Sequence, residues 1–354
     1  MIKAKDSKYI KNIHFASAKD FLKAISFDGE LYKLFHENFI FRGHSTDEYE
    51  LKPSALRNLL YEQYHSIDWN NENEILMADS EYAQIYTEYE LLNRFFKLSE
   101  SNGLFIPEVN LMRESLLWGK QAALCSILQE NWLPKALYEV AALAQHHGVP
   151  TRLLDWTTDI NIALYFAVSS ILKQEETPTK YTWQEWNNSK KQMIKNAFNL
   201  LEASYFPQKE NIEMWALDTT ITLEYLDIPL RIIHPRYHEN EYLNAQKGLL
   251  SFWETRTPRR NDPDEGYKPR ISARNDKSLD KEISDYLTEK GAKEKVFLYQ
   301  ITFPKEDIWA LYKYIKRNHC DASTLFPGYD GVVRCMKEDD YANQWKNKNL
   351  INKK

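Results

Sequence analysis

The stretch AQHHGVPTRLLDWTTDINIALYFAV, residues 144–168, decides how the chain around it folds. Apolar residues at helical spacing lead into it over residues 134–147, and Gly148 is placed where a helix ends. The short segment from Thr151 to Trp156 is predicted to be extended. A second helix is predicted from Ile160 to Leu172, and its apolar residues on most sides indicate that it is buried.

Strands are predicted on both sides of this stretch. The segment from Asn38 to His44 precedes it, and alternation places Phe41 and Gly43 on one face with Arg42 and His44 on the other. Further strands are predicted at Glu213 to Asp218, Arg231 to His234, Gly248 to Trp253, Val296 to Phe303 and Gly331 to Met336. Helices are expected over residues 16–36 and over most of 55–133. The pattern predicts an α+β fold, with a helix-rich N-terminal part packed on a mixed, mostly antiparallel sheet.

The chain is predicted to form one principal domain over residues 38–340, after a helical lead-in at 1–37 and before a polar tail at 341–354. A helical insertion is expected at about 60–133, and polar excursions are expected at about 174–211 and 255–291. The second excursion carries Arg256, Arg259, Arg260, Lys268, Arg270, Arg274 and Lys277 among several carboxylates. This mixture favours a solvated loop over a phosphate-binding surface.

The composition excludes several classes of protein. The 354 residues carry a net charge of −5, so no general attraction to nucleic acid or membrane is expected. The three cysteines lie far apart, which argues against a disulfide framework and a zinc knuckle. The absence of a signal peptide and of a long apolar run predicts a cytoplasmic protein. No Walker loop, GxGxxG, GxSxG or HExxH motif is present, and no metal site is expected.

Arg42 and three residues of the stretch, Arg152, His146 and His147, are candidates for ligand binding. Arg42 can clamp a phosphate or carboxylate with its planar guanidinium, although a structural salt bridge explains it equally well. Arg152 could strengthen an anion site at the start of the second helix, or it could simply pair with Asp155. His146 and the adjacent His147 could act as bases or metal ligands, but adjacent histidines on a helix point about 100° apart.

One aromatic residue and two residues at strand ends are further candidates. Trp156 could stack on a ligand ring, although core packing is the ordinary role of a tryptophan. Gln246 opens the predicted strand at 248–253 and could bind a ligand edge, whereas Glu254 closes that strand as its only carboxylate. Both could also be ordinary polar residues at the ends of a strand.

Several motifs occur in the order found in one known family. FRG at 41–43 with LKPSALR at 51–57, and the stretch at 144–168, resemble the two signatures of the FRG domain family. WALD at 215–218, AQKGLL at 245–250 and STLFPGYDGV at 323–332 are similar to its later motifs. The resemblance spans about residues 38–335. The order of these motifs also resembles the plan of ADP-ribosyltransferases.

The second resemblance implies a fold like that of the ADP-ribosyltransferases and NAD as a substrate. In that plan Arg42 holds NAD, Thr151 or Tyr165 takes a second role, and Gln246 or Glu254 acts on the ribose as a catalytic residue. The chain departs from the plan because QKG stands where a catalytic glutamate is expected, and glutamine supplies no negative charge. The residues expected to bind the ligand are Arg42, His44, Gln145, His146, Thr151, Arg152, Asp155, Trp156 and Tyr165.

Three interpretations remain open at this point. The first is an ADP-ribosyltransferase or NAD glycohydrolase, with a macromolecular acceptor in the transferase case and a role as a toxin or phage-defence effector. The second is a binding module without catalysis, for a nucleotide, a nucleic acid or a protein. The third is a structural role for the signatures, in which Arg42 and Asp155 form a buried pair.

Overall fold

A seven-stranded sheet forms the centre of the protein in a computed structural model that describes residues 8–66, 71–110, 112–113, 131–174, 211–236, 241–256, 272–305 and 308–352. The strand order is β1-β7-β4-β2-β3-β6-β5. The strands are β1 (Ile10–His14), β2 (Phe39–His44), β3 (Leu154–Thr157), β4 (Asn211–Asp218), β5 (Leu230–Ile233), β6 (Gly248–Trp253) and β7 (Leu298–Pro304).

The sheet is mixed. Strands β1 and β7 pair in parallel, and every other neighbouring pair in the sheet is antiparallel. This arrangement confirms the predicted α+β class with a mostly antiparallel sheet. Strand β1 was missed, since residues 1–37 were expected to be helical. Its sequence, IKNIH, does not alternate regularly between apolar and polar residues, and only Ile10 of the strand is buried.

Fourteen α-helices lie within the described residues. They are α1 (Ala18–Ile25), α2 (Glu30–Leu34), α3 (Ser54–Arg57), α4 (Leu60–Tyr64), α5 (Glu72–Ala78), α6 (Glu81–Ser101), α7 (Tyr138–His146), α8 (Ile160–Gln174), α9 (Ile221–Glu224), α10 (Glu241–Ala245), α11 (Leu279–Glu289), α12 (Ile308–Arg317), α13 (Ala322–Leu325) and α14 (Tyr329–Asn352). None of these helices is both long enough and apolar enough to cross a bilayer.

Helix α8 packs directly against strand β2 on one face of the sheet. Its residues Ala163, Ala167 and Val168 belong to the same buried cluster as Phe41 of β2. A Cβ atom on Gly43 would lie 2.0 Å from the carbonyl oxygen of Ala163. The glycine of the FRG tripeptide is therefore required by the close approach of this helix, and its role is structural.

Substitution of Gly43 by alanine is expected to destabilise the protein by about 1–3 kcal/mol, because the new methyl group would overlap backbone atoms of α8 that cannot move independently. Urea unfolding of the variant measures this loss. Gly248→Ala is the control and should be destabilised less, since a Cβ at that site would first meet the end of the Leu243 side chain, which can move, rather than backbone. Equal stability of Gly43→Ala and the wild type would contradict this packing.

The opposite face of the sheet is covered by helix α11. Its buried residues Leu279, Ile283 and Leu287 share a cluster with Ile40 and Trp215 of the sheet. The polar excursion expected at 255–291 therefore contains a packed helix, because its apolar residues at helical spacing outweigh the surrounding charge. Residues 257–271 of that excursion, and 175–210 of the first one, lie outside the described residues.

The helical insertion packs against helix α7 and strand β6. Residues Ile85, Tyr89 and Phe96 of α6 share a buried cluster with Trp132 and Val140. Helices α4, α5 and α6 confirm the helical character predicted for this region. Residues 114–130 of the predicted insertion lie outside the part of the chain that the structure describes.

The strand predicted from Gly331 to Met336 is wrong, because this segment begins helix α14. The residues that this helix buries recur every three or four positions, namely Gly331, Cys335, Glu338, Ala342 and Trp345. This helical spacing is visible only over a longer window than the six residues considered. The helix also runs through the predicted polar tail. Residues 16–36 form two helices, α1 and α2, rather than one.

Candidate functional site

Strands β2 and β3 pair at a single position, Phe41 with Thr157, whereas β2 pairs with β4 at six positions. A cavity of about 270 Å³ lies where the two strands separate. This volume is slightly below the usual range for small-molecule sites. The cavity is lined by Phe41, Arg42, Gly43, Asp155, Trp156, Thr157, Ala163, Phe166, Ser170, Leu243, Gln246, Gly248 and Leu249. We call this cavity the cleft.

Arg42 is held at the cleft by two hydrogen bonds. Its Nε donates to Nε2 of His44 over 3.0 Å, and its Nη1 donates to the backbone oxygen of Asp155 over 2.7 Å. The carboxylate of Asp155 lies 3.7 Å from Nη1, and the Arg42 side chain keeps 16% of its surface exposed. Burial lowers the pKa of Arg42, but the ordinary value is so high that the group stays charged at neutral pH. The cleft therefore contains a fixed positive charge.

His44 lies behind Arg42 and is buried. Its Nδ1 lies 2.9 Å from Oε2 of Glu213, a carboxylate on β4 that is fully buried. Since Nε2 accepts the hydrogen bond from Arg42, Nδ1 carries the proton that is donated to Glu213. Both ring nitrogens are occupied, so His44 supports Arg42 and is not available for the direct ligand contact that the sequence suggested.

The stability of the protein is expected to fall as the pH falls below neutrality. Burial lowers the pKa of His44, so the unfolded chain takes up a proton at this residue before the folded chain does. The stabilisation by neutral His44 is present above its unfolded pKa, about 6.5, and is lost as the pH falls through the folded value. Urea unfolding at about pH 7.5 and about pH 5.5 measures this loss. The variant His44→Gln should lose less over this interval, and an equal loss in both proteins would contradict the assignment.

Asp155 is held by hydrogen bonds that link polar residues of the stretch 144–168. Gln145 donates through Nε2 to Oδ1 of Asp155 over 2.6 Å, and the hydroxyl of Thr151 donates to Oε1 of Gln145. Thr151 is in turn fixed by Ser54 and by the backbone of Ala55, in the LKPSALR motif. Asp155 itself remains 66% exposed, so it does not form the buried pair with Arg42 that the structural interpretation required.

His146 interacts electrostatically with Asp155 but does not line the cleft. Its ring is half-buried and lies 5.2 Å from the ring of His147 and 5.3 Å from that of Tyr242. Burial lowers the pKa of His146, the neighbouring His147 lowers it further, and Asp155 opposes both effects. His146 is therefore neutral at pH 7 and able to accept or donate a hydrogen bond. His147 is exposed.

Gln246 also lines the cleft. Its Nε2 donates to the backbone oxygen of Leu325 over 3.1 Å, and its own backbone oxygen accepts from the hydroxyl of Thr157. The Thr157 hydroxyl also accepts from the backbone N–H of Asp159. Lys247 forms an ion pair with Asp159 at 2.8 Å, so the start of α8 already carries its own charge pair. The anion site predicted there with Arg152 does not form.

Arg152 lies away from the cleft and is buried against helix α6. Its guanidinium donates to both oxygens of Glu88, over 2.7 and 2.9 Å, and to Glu81 over 3.2 Å. Glu88 also accepts from the indole N–H of Trp132. Arg152 therefore joins the helical insertion to the core and does not contact a ligand in the cleft. It was misassigned because its partners lie about 70 residues earlier in the chain.

Three other predicted residues have partners within the protein. Tyr165 is fully buried, and its hydroxyl donates to Glu338 on α14 over 2.9 Å. Trp156 lines the cleft, but its ring is 3% exposed and its N–H donates to Ser251. Glu254 lies past the far end of β6, roughly 20 Å along the strand from Gly248. It forms an ion pair with Arg231 at 2.6 Å.

Sequence reasoning missed several residues that lie in the cleft or behind it. Glu213 is a carboxylate flanked by the apolar residues Ile212 and Met214 in strand β4, and this pattern is a detectable signal for a buried polar role. Phe166 and Ser170 of α8 and Leu243 of α10 also line the cavity, but no signal distinguishes them from ordinary core residues. Across the described residues, no group of three or more histidine, cysteine, aspartate or glutamate side chains is arranged to hold a metal.

Comparison with known proteins bears on the segments that build the cleft. No curated protein and no solved structure matches the chain. One family model matches it, that of the FRG domain, over residues 37–176. The matched range includes β2, β3 and α8 and the first residues of the cleft. The chain therefore contains an FRG domain over these residues.

Proposed function

We propose that the cleft binds NAD and that the protein cleaves the bond between nicotinamide and ribose, as an NAD glycohydrolase or an ADP-ribosyltransferase. The observation that carries this proposal is the pairing of a fixed arginine with an exposed carboxylate at the point where two strands separate. Arg42 supplies a charged group for a phosphate, and Asp155 supplies a negative charge near it. The aromatic side chains at the cleft favour a ligand that carries a planar ring.

The pyrophosphate of NAD is the group that Arg42 is suited to bind. Two of the three guanidinium nitrogens already have partners, and within the described residues Nη2 has no hydrogen-bond partner. This nitrogen is therefore able to donate to a phosphate oxygen. The cavity of about 270 Å³ is suited to one nucleotide half of the dinucleotide rather than to the whole molecule.

Asp155 is the carboxylate suited to act on the ribose. When the C–N bond to nicotinamide breaks, positive charge develops on the ribose, and a nearby carboxylate stabilises that charge. Nicotinamide leaves with the electrons of the broken bond, and water or an acceptor nucleophile forms the new bond and releases a proton. Asp155 thus takes the electrostatic role for which Gln246 lacks the charge and Glu254 lies too far away.

A direct test incubates the purified protein with NAD and follows nicotinamide by chromatography. The proposal expects nicotinamide to accumulate, with ADP-ribose in solution for a hydrolase or on an acceptor protein for a transferase. A cell extract supplies acceptors in a parallel reaction. Absence of nicotinamide both with and without extract would rule out the proposed chemistry.

An NAD-consuming activity fits a role as a toxin or phage-defence effector. Depletion of NAD stops growth, so expression in a host should lower the cellular NAD concentration before growth ceases. The variant Asp155→Asn should leave NAD unchanged at an equal protein level. Unchanged NAD with the active protein would contradict this role.

A second candidate function is a binding module without catalysis. It is favoured by the amide of Gln246, which already donates to the backbone of Leu325 and offers no charge for the ribose. In this case NAD or another nucleotide would raise the melting temperature of the protein without being consumed.

A further inference from the structure

A fully buried carboxylate lies behind the cleft and has three hydrogen-bond donors. Glu213 accepts from Nδ1 of His44 over 2.9 Å, from the indole N–H of Trp215 over 2.8 Å, and from Nε2 of Gln300. No lysine or arginine forms an ion pair with it among the described residues. Burial of a charge without a paired cation is costly, and an apolar residue in this strand would avoid that cost. The carboxylate is therefore explained better by a role in the site than by stability.

The carboxylate determines which nitrogen of His44 carries the proton. An ionised carboxylate only accepts hydrogen bonds, so Nδ1 of His44 must be protonated to donate to it. In the neutral ring Nε2 then has a free lone pair, and this atom lies 3.0 Å from Nε of Arg42. The hydrogen bonds therefore run from Arg42 to His44 and from His44 to Glu213.

This series of hydrogen bonds fixes the plane of the Arg42 guanidinium. Nε is held by His44, and Nη1 is held by the backbone oxygen of Asp155, over 2.7 Å. With two nitrogens fixed, the third cannot change its direction without breaking one of these bonds. A guanidinium held in this way binds an anion with less loss of conformational entropy than a free side chain does.

We propose that Glu213 is a positioning residue that acts through His44 to hold Arg42 in its anion-binding orientation. The identity of the anion, a phosphate of NAD, rests on the proposed function. The orientation of Arg42 in the free protein does not depend on it.

The surroundings of His44 explain why the proposal predicts a pH dependence. The charged and titratable groups that face the ring are Arg42 and Glu213 from the sheet and Arg57 from α3, with the ring of Tyr49 at 6.0 Å. Burial and the two arginines lower the pKa of His44, and Glu213 raises it. When His44 takes up a proton, Nε2 becomes a donor and can no longer accept from Arg42. NAD binding should therefore weaken on the acid side of neutrality.

The test uses Glu213→Gln in the full-length protein. The amide lacks the negative charge, and its own N–H donors compete with those of His44, Trp215 and Gln300. We expect NAD to bind about 10- to 100-fold more weakly, by analogy with groups that orient metal ligands through one intermediary. The acid limb of binding should move to lower pH, because the carboxylate that raises the pKa of His44 is gone. A purely structural role of Glu213 would not move this limb.

A second measurement needs no ligand. In nitrogen NMR spectra, the Nε proton of Arg42 should exchange slowly with water in the wild type and rapidly in Glu213→Gln. The control is Glu338→Gln, which changes another buried carboxylate that contacts Tyr165 away from the cleft. This control should keep both the slow Arg42 signal and the wild-type affinity.

The two measurements separate this proposal from the proposed function. One outcome is that the wild type fails to bind NAD while its Arg42 Nε proton exchanges slowly, and does so only when Glu213 is present. In that case NAD is not the ligand, and the positioning role of Glu213 stands. If the signal in Glu213→Gln matches the wild type, the positioning role is wrong whatever the ligand. The same holds if NAD binds equally to both proteins with the same pH dependence.

Discussion

Replacement of Arg152 by alanine is expected to lower the free energy of unfolding by about 3–5 kcal/mol, the cost of breaking a buried ion pair. The guanidinium is 4% exposed and lies between Glu81 and Glu88, which are equally buried. Its removal leaves two carboxylates facing each other without a cation. Burial already raises the pKa of Glu81, and the loss of Arg152 would raise it further.

Urea unfolding of Arg152→Ala and the wild type measures this change directly. The matched control is Arg113→Ala, because Arg113 also forms ion pairs with two glutamates but is 42% exposed. Exposed pairs contribute about 0–1 kcal/mol, so the control should unfold almost like the wild type. Equal losses in the two variants would show that Arg152 does not join the insertion to the core.

Replacement of Asp155 by asparagine is expected to reduce the rate of nicotinamide release by about 100-fold or more, the scale on which one electrostatic group contributes to catalysis. The fold should be retained, since the side chain is 66% exposed and asparagine can still accept the hydrogen bond from Gln145. The loss should appear in kcat rather than in KM, because the carboxylate acts on charge that develops during the reaction.

Asp159→Asn is the matched control for this variant. It removes the same charge four residues away, and an asparagine there can still accept from the backbone of Asn161. Its rate should remain within a few-fold of the wild type. If Asp159→Asn and Asp155→Asn lose activity equally, the effect is one of net charge at the cleft and Asp155 has no specific role.

The local parts of the fold were predictable from the sequence. Helix α8 was found because it is apolar on most sides over its whole length, and strand β2 was found because its residues alternate between two faces. The group formed by Gln145, Thr151 and Asp155 was also predictable, since its members lie within eleven residues of each other and are joined through Gln145.

The misassigned residues depend on contacts that are distant in the sequence. Arg152 was grouped with Asp155 because of its position, but its partners are on helix α6. Glu254 was grouped with Gln246 on one strand, although a strand of six residues separates its two ends by roughly 20 Å. The support of Arg42 by Glu213 required knowledge that β2 and β4 are neighbours, with His44 opposite Glu213 in the register.

Binding of NAD to the wild type and to Arg42→Lys, measured by isothermal titration calorimetry, tests the central claim most directly. Lysine keeps the charge but lacks the planar fork that His44 and Asp155 hold in place, so we expect binding to weaken at least about tenfold. Arg231→Lys, at the far end of the sheet, should bind like the wild type. Equal affinity of Arg42→Lys and the wild type, or no binding of NAD by the wild type, would contradict the assignment of the cleft as an NAD site.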